Sequence, residues 1–308
     1  MPMREESLTA PVATAPAEPG PVGGPSSAAA NSTPPARRRM RLVLRYALLS
    51  LGAFVILFPL YMAVVNSLLP PREIAQQPPP FFPFHPQWDS YTRAWTDGHL
   101  AVYLRNSAIQ TGVIVFGQLA TSVLAAYAFA FLRFPFKRTL FLVFLMTLMI
   151  PFEVTIATNL ATVSSLGWFN TLPGLTVPFV ATGFGTFLLR QAFLQIPRDL
   201  REAAQLDGYG DFRFLWSVAI PLTRPVLAAL AVFSFLGAWN QYLWPLLVTG
   251  NDNSVRTVQI GLKQLVNTQI DQINVSLAGT IIAVVPLLIL LVIFQKQLVR
   301  SLTSGAVK

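Results

Sequence analysis

Few side chains in this sequence could carry covalent chemistry. Its 308 residues include no cysteine and only two histidines, His85 and His99, which fall in one polar loop. That removes disulfides, thiolate nucleophiles, cysteine lipid anchors and any Cys/His metal cluster. Acids are equally sparse in the apolar stretches. Glu153 stands alone there, so no carboxylate pair is available for acid–base work. No G-x-x-x-x-G-K-[ST] loop occurs to cradle nucleotide phosphates. We therefore expect no catalytic residue, no metal ligand and no cofactor. What remains is hydrogen bonding and docking. Asn240, Gln241 and Tyr242 interrupt an apolar run, where polar side chains are expensive and often functional. With Glu153 they are the candidates for lining a solute pathway. Trp239, Tyr242 and Trp244 also fit an interfacial aromatic belt.

The most patterned polar stretch is 195–224, QIPRDLREAAQLDGYGDFRFLWSVAIPLTR. Pro197 stops the preceding helix. Asp199 is placed as an N-cap, with Glu202 three residues on to complete a capping box. Leu200, Ala203, Ala204 and Asp207 then share one helical face. The small side chains of Ala203 and Ala204 allow another surface to approach closely. Gly208 and Gly210 break this helix after about two turns. Asp211 is placed to cap a second short helix, whose apolar stripe is Phe212, Leu215, Trp216 and Ala219. That stripe suits a helix lying along a membrane, and Pro221 ends it. On pattern alone, the stretch is either a surface loop with incidental amphipathicity or a rigid knob against two spans. A push on such a knob would tilt both.

The elements that must hold these residues follow from composition. Of the residues, 53% are apolar and 11% charged, and the mean hydropathy is +0.54. A soluble domain carries about 25% charged residues, so water is not the only solvent. A hydrocarbon core of about 30 Å needs roughly 20 apolar residues in a helix. Six segments qualify or nearly so, at about 42–66, 107–132, 139–160, 172–194, 225–248 and 275–294. The fourth is interrupted by Pro173, Gly174, Pro178, Gly183 and Gly185. The fold class is thus an all-α polytopic membrane protein with six transmembrane helices. The net charge of +9 has a matching explanation. With the amino terminus inside, all but five of the 22 Lys and Arg fall in inner segments; Arg72, Arg93, Arg105, Arg256 and Lys263 are outside. The positive-inside rule then places both termini in the cytoplasm. The basic balance needs no nucleic acid, and any single arginine is explained by topology. Residues 1–40, rich in Pro, Ala, Gly and Ser, read as a disordered tail, and 41–308 as the membrane domain. The outer loop of about 68–106, rich in proline and aromatics, reads as an interfacial lid.

The spacing in the 195–224 loop is specific. Glu202-Ala203-Ala204, three residues, Gly208, nine residues, then Val218-Ala219-Ile220-Pro221 resembles the EAA loop of binding-protein-dependent ABC importer permeases, EAA-x3-G-x9-I-x-L-P. Val for Ile and Ile for Leu are the departures. The likeness runs from about Arg41 to Lys308. It includes Tyr103-Leu104-Arg105-Asn106-Ser107, Leu166-Gly167-Trp168-Phe169-Asn170-Thr171, Trp239 to Leu246 and the tail Leu302 to Lys308. The resemblance implies a type I ABC importer permease architecture in a bacterial cytoplasmic membrane. It implies two ATPase subunits, a second homologous permease and an extracytoplasmic solute-binding protein as partners, besides lipid. It makes Glu202, Ala203, Ala204, Asp207 and Gly208 the candidates for docking the ATPase subunit. The outer segment 249–272 resembles one that enters the binding protein's cleft in the maltose system. Asn251, Asp252, Asn253 and Ser254 in it are also plain turn formers.

The solute is less legible. The wording around Pro151 to Thr155, Leu188 to Gln191 and Trp239 to Leu247 most resembles carbohydrate-type permeases for glycerol-3-phosphate. A phosphate would want Arg or Lys nearby, and no span has a central one; Arg190 is near the inner end. The alternative is a secondary transporter or channel without an ATPase partner. It predicts ion-coupling carboxylates or inverted repeats, and neither stands out. An intramembrane enzyme would need a catalytic cluster that is missing from the spans.

Overall fold

The computed structural model describes residues 35–250, 254–268 and 271–304, with side chains between 39 and 296. The expected disordered tail lies almost wholly outside the described residues, as do Asn251, Asp252, Asn253 and 305–308. All regular structure among the described residues is helical. Residues up to Leu57 and from Phe58 onward form two compact units. Helix α1 (Pro35–Leu68) carries the described part of the first unit, where apolar side chains such as Leu48, Val55 and Ile56 are exposed. That disposition suits lipid.

In the second unit, a segment with two short helices, α2 (Pro71–Ile74) and α3 (Asp89–Thr96), leads to α4 (Leu100–Phe131). Phe81, Phe82, Phe84 and Trp88 between them are exposed, as an interfacial segment requires. α4 is the axis of the unit. One apolar core gathers around Leu100 and Tyr103 near its start, with Trp239, Val258 and Val275. Another gathers around Val123, Ala126 and Tyr127 near its end, with Leu189, Phe193 and Phe214. Tyr103 and Tyr127 are about 36 Å apart at ~1.5 Å per residue, enough to cross a hydrocarbon core.

Three continuous stretches are long and apolar enough to span: Arg39–Leu68, Leu100–Phe131 and Ile273–Lys296. The last belongs to α15 (Ile273–Ser304), which runs through Pro286. Two other expected spans are bent pairs, and a third bent pair, residues 211–222 with 224–239 at 81°, joins the loop ahead of the fifth span to its helix. α5 (Lys137–Met146) with its 3-10 turn meets α6 (Phe152–Ser165) at 97°. The cause is Pro151, which excludes the preceding residue from helical backbone; Ile150 is extended, at φ −88° and ψ 112°. α7 (Leu172–Thr176) with its 3-10 turn at Pro178 meets α8 (Gly183–Leu194) at 44°.

The expected fifth span, 225–248, is not one helix. α12 (Arg224–Trp239) stops, Asn240 to Tyr242 lie outside helix, and α13 (Leu243–Val248) starts anew. Pro245 cannot donate to Gln241 and would clash with its carbonyl in a continuous helix. In the first turn of α13 its missing N–H has no consequence. The aromatic belt is corrected too. Trp239 and Trp244 are buried, at 3% and 2% exposure, and Tyr242 alone is partly exposed. Trp244 Nε1 donates to the Gly174 carbonyl at 3.1 Å, and its ring packs on Phe152 and Phe179.

α4 and α8 pack closely because small residues face each other. A Cβ on Gly185 would sit 2.4 Å from Ser122 Oγ. Gly185→Val is therefore expected to destabilise the protein by about 1–3 kcal/mol through overpacking, read as a lower thermal unfolding midpoint in detergent.

Two of the sequence motifs have local explanations. Asn106 Nδ2 donates to the carbonyls of Ser254 and Arg256, at 2.7 and 3.0 Å. Ser107 Oγ accepts from Val258 N at 2.8 Å. Together they fasten the start of α14 (Val258–Thr268) to α4. Asn170 takes a positive φ of 54°, and Thr171 caps α7 by accepting from Gly174 N.

Candidate docking loop and solute-facing cavity

Between α8 and α12, the chain forms α9 (Arg198–Leu206), then a sharp elbow. α10 (Asp211–Phe214), a π turn over Leu215–Ala219 and α11 (Ile220–Leu222) follow. Both expected caps are corrected. Pro197 holds the N-cap position of α9, so Asp199 sits inside the first turn and makes no cap bond. Its charge still favours the positive helix end. Gly210, not Asp211, precedes α10, and it makes no side-chain cap. With Pro197 at φ −55° in the cap position, α9 starts two residues earlier than an Asp199 cap would place it.

The elbow is a Schellman motif. Tyr209 N donates to Ala204 O at 2.8 Å and Gly208 N to Gln205 O at 3.0 Å, with Gly208 at φ +77°. These bonds satisfy carbonyls that the helix end leaves open, and the left-handed residue favours glycine. Ala204 is buried and packs in the same core as Tyr209. This is the apolar contact that accompanies such a turn. Of the five candidate docking residues, Ala204 thus faces the chain's own interior, while Glu202, Ala203, Asp207 and Gly208 are exposed. Leu206, which the motif reading passed over, is 90% exposed beside the elbow. The second helix also divides its expected stripe. Leu215 and Ala219 are buried, whereas Phe212 and Trp216 are exposed and meet edge to face at 6.1 Å. Pro221 has no N–H to offer Ser217, and the π turn is where the helix accommodates that loss.

A polar clamp fastens the loop to the end of α4. Tyr127 OH donates to Asp211 Oδ1 at 2.8 Å, and Arg201 Nη2 reaches the same oxygen at 3.2 Å. Arg201 Nη1 donates to Phe131 O at 3.0 Å. Two more cations complete the end of α4. Arg190 Nε donates to Phe129 O at 3.1 Å, and Lys137 Nζ donates to Ala130 O and Leu132 O, at 3.2 and 2.8 Å. A helix leaves its last carbonyls without partners and carries partial negative charge there, and three cations supply both needs. Topology alone therefore does not account for Lys137, Arg190 and Arg201. Arg190 also lies over the Phe141 ring, 4.0 Å from its centre, so its guanidinium is occupied. No periodicity announces this arrangement, because the partners are separated by up to 84 residues. Beside the clamp lies an open cavity of about 780 Å³, walled by Phe131, Arg133, Arg201, Glu202 and Gln205 among others.

The four candidate pathway residues do not converge. Glu153 is exposed on the first turn of α6. Asn240 Nδ2 donates to Leu236 O at 2.9 Å and ends α12. Tyr242 is 38% exposed. Gln241 alone of the four lines a cavity of about 240 Å³ between α4, α8 and α12. Its Oε1 accepts from Gln110 Nε2 at 2.8 Å. Gln118, Thr182 and Ser234 line the same cavity, and sequence reading missed all three, as it missed Gln110. Gln110 and Gln118 lie on one α4 stripe with Ile114; that period was the available signal.

Bent and broken apolar helices, a polar cavity among them and a rigid clamped elbow at one end define a class: a polytopic membrane protein built for solute passage. Residues 118–304 match the family described as "Binding-protein-dependent transport system inner membrane component", and the chain belongs to that family. It is an ABC importer permease of the inner membrane. The sn-glycerol-3-phosphate transport system permease protein UgpE of Yersinia pestis bv. Antiqua is 34% identical over 268 residues, covering 84% of this chain and 95% of the relative. That of Agrobacterium fabrum is 36% identical over 276 residues, covering 87% and 98%. The fold is shared with a chain of a bacterial ABC transporter involved in the import of the acidic polysaccharide alginate. There the TM-score is 0.72 at 23% identity, over 84% of this chain and 96% of the other.

Proposed function

We propose that this chain forms half of the membrane pathway of an ATP-driven importer for glycerol-3-phosphate. The observation that carries the solute is the likeness to relatives named for that solute, at 34% and 36% identity over more than four fifths of this chain. A second, homologous permease supplies the other half, and an extracytoplasmic binding protein delivers the solute. Separate ATPase subunits hydrolyse ATP, which fits a chain with no phosphate-cradling loop. The 195–224 loop is the docking element, and both termini lie in the cytoplasm with it. Glu202, Ala203, Asp207, Gly208 and the exposed Leu206 form the surface offered to the ATPase subunit. Ala204 positions that surface from below. The Arg201–Asp211–Tyr127 clamp passes the motion of the elbow to α4. The tail 1–40 and the membrane domain 41–308 are joined within α1 (Pro35–Leu68).

The test is uptake by the complex reconstituted in vesicles with both permeases, ATPase subunits and binding protein. The expected result is ATP-dependent accumulation of glycerol-3-phosphate in preference to maltose. Accumulation that proceeds without ATP or the ATPase subunits would instead establish a secondary transporter or channel.

A further inference from the structure

We infer that the cavity lined by Gln241 binds the hydroxyl-bearing, uncharged part of the solute, and that the phosphate is met outside this cavity. The inference rests on the importer reading above and adds which chemistry this subunit recognises.

The cavity is built from helical stripes. Ile114 and Gln118 come from α4. Leu230, Phe233, Ser234, Gly237 and Ala238 come from α12, and Gln241 follows in the helix break. Thr182 and Phe184 enter from the start of α8. Its volume of about 240 Å³ equals that of roughly eight waters at ~30 Å³ each. A three-carbon polyol unit fits such a space.

The polar atoms have a definite pattern. Ser234 is 7% exposed and its Oγ has no hydrogen-bond partner within the chain. A buried hydroxyl without a partner is costly, and a ligand hydroxyl would satisfy it. Gln118 Nε2 is engaged by Phe179 O at 2.9 Å, which turns the acceptor Oε1 to the remaining use. Gln241 Oε1 is engaged by the buried Gln110, which leaves its Nε2 as a donor. Gln118 Oε1 is thus an acceptor, Gln241 Nε2 a donor and the Ser234 hydroxyl both, with Thr182 a second hydroxyl residue in the lining.

Alcohol groups donate and accept, so they match this set. A phosphate only accepts, and the Gln118 Oε1 dipole would oppose it. A phosphate also calls for Arg or Lys, and the lining contains no ionisable side chain. Arg190 is committed to Phe129 O and the Phe141 ring. Phe184 and Phe233, edge to face at 6.2 Å, present apolar surface suited to the C–H face of a polyol. Gln110, which orients Gln241, is a positioning residue.

The experiment uses the full reconstituted complex and two probes: glycerol-3-phosphate and its analogue lacking the C2 hydroxyl, 3-hydroxypropyl phosphate. Wild type is expected to favour the former. Ser234→Ala and Gln118→Leu should each raise KM for glycerol-3-phosphate by about 3- to 10-fold, the worth of one hydrogen bond. KM for the analogue should stay constant. Its dependence on ionic strength should also stay as in wild type, because no charge is removed. Gly237→Leu should block uptake with assembly intact by co-purification, since a side chain there meets nothing within 4 Å. Unaltered discrimination in both polar variants would overturn the inference, as would free uptake by the leucine variant. If wild type carries a neutral sugar and no glycerol-3-phosphate, the solute assignment fails separately. The same variants measured with that sugar and its deoxy analogue then decide on the cavity.

Discussion

Leu206→Asp is expected to abolish ATP-driven uptake while leaving the membrane-embedded protein folded. Leu206 is 90% exposed, so its removal takes away no packing within the chain. An apolar side chain of this size contributes about 1.5–3 kcal/mol when a partner surface covers it. Losing that amount weakens subunit association roughly 10- to 100-fold. A carboxylate forced into the same interface without a partner adds to the loss. The measurement is co-purification of the ATPase subunits with the permease, alongside uptake and the thermal unfolding midpoint of the isolated membrane subunits. Retained association with normal uptake would remove Leu206, and with it this face of α9, from the docking surface.

Arg201→Ala is expected to fail in a different way: the ATPase subunits still bind, but their hydrolysis no longer drives transport. Arg201 holds three things together, the α9 helix it belongs to, Asp211 at the start of the next helix and Phe131 O at the end of α4. Its side chain is 26% exposed and that of Asp211 55%, so the ion pair itself contributes at most about 1 kcal/mol. The bond to Phe131 O matters more, because its loss leaves a helix-terminal carbonyl without its donor. The expected loss is local, about 1–2 kcal/mol, and falls where a push on the elbow must reach a span. The readout is the ratio of solute moved to ATP hydrolysed, which should drop several-fold at unchanged subunit composition. Arg201→Lys should restore it only in part. A single ammonium cannot bridge Phe131 O and Asp211 with the planar fork of a guanidinium. An unchanged ratio in Arg201→Ala would show that motion reaches α4 through apolar packing alone.

What could be read from the chain was whatever depends on neighbours in sequence. The six apolar segments and the Pro and Gly positions announce a polytopic helical protein with breaks, because hydrophobicity and proline act within a few residues. The Glu202 to Gly208 spacing announces the elbow for the same reason, since its hydrogen bonds close over five residues or fewer. Even so, the Asp199 cap was misplaced by two residues and the Asp211 cap by one, where Pro197 and Gly210 started the helices earlier. Pro245 was visible, but the break it causes at Asn240 to Tyr242 depends on the helix restarting on the far side.

The site itself was only half legible. Gln241 could be found because it interrupts an apolar run. Gln118 and Ser234 could not be ranked above other polar residues until α4 and α12 faced each other across one cavity. Arg190 and Lys137 counted only as charges on one side of a membrane. Their roles depend on which carbonyls at the end of α4 stand within 3.2 Å, five and seven residues back for Lys137 but 61 for Arg190.

The sequence by itself determined the solvent, the helical class and the place of the elbow, because burial preference and short-range hydrogen bonding are written residue by residue. Only the tertiary structure decided which loop residues face outward, which cations close the end of α4 and which amides meet in the cavity. Those are properties of contacts between distant segments. Their energies depend on distances of a few ångströms that no spacing along the chain encodes.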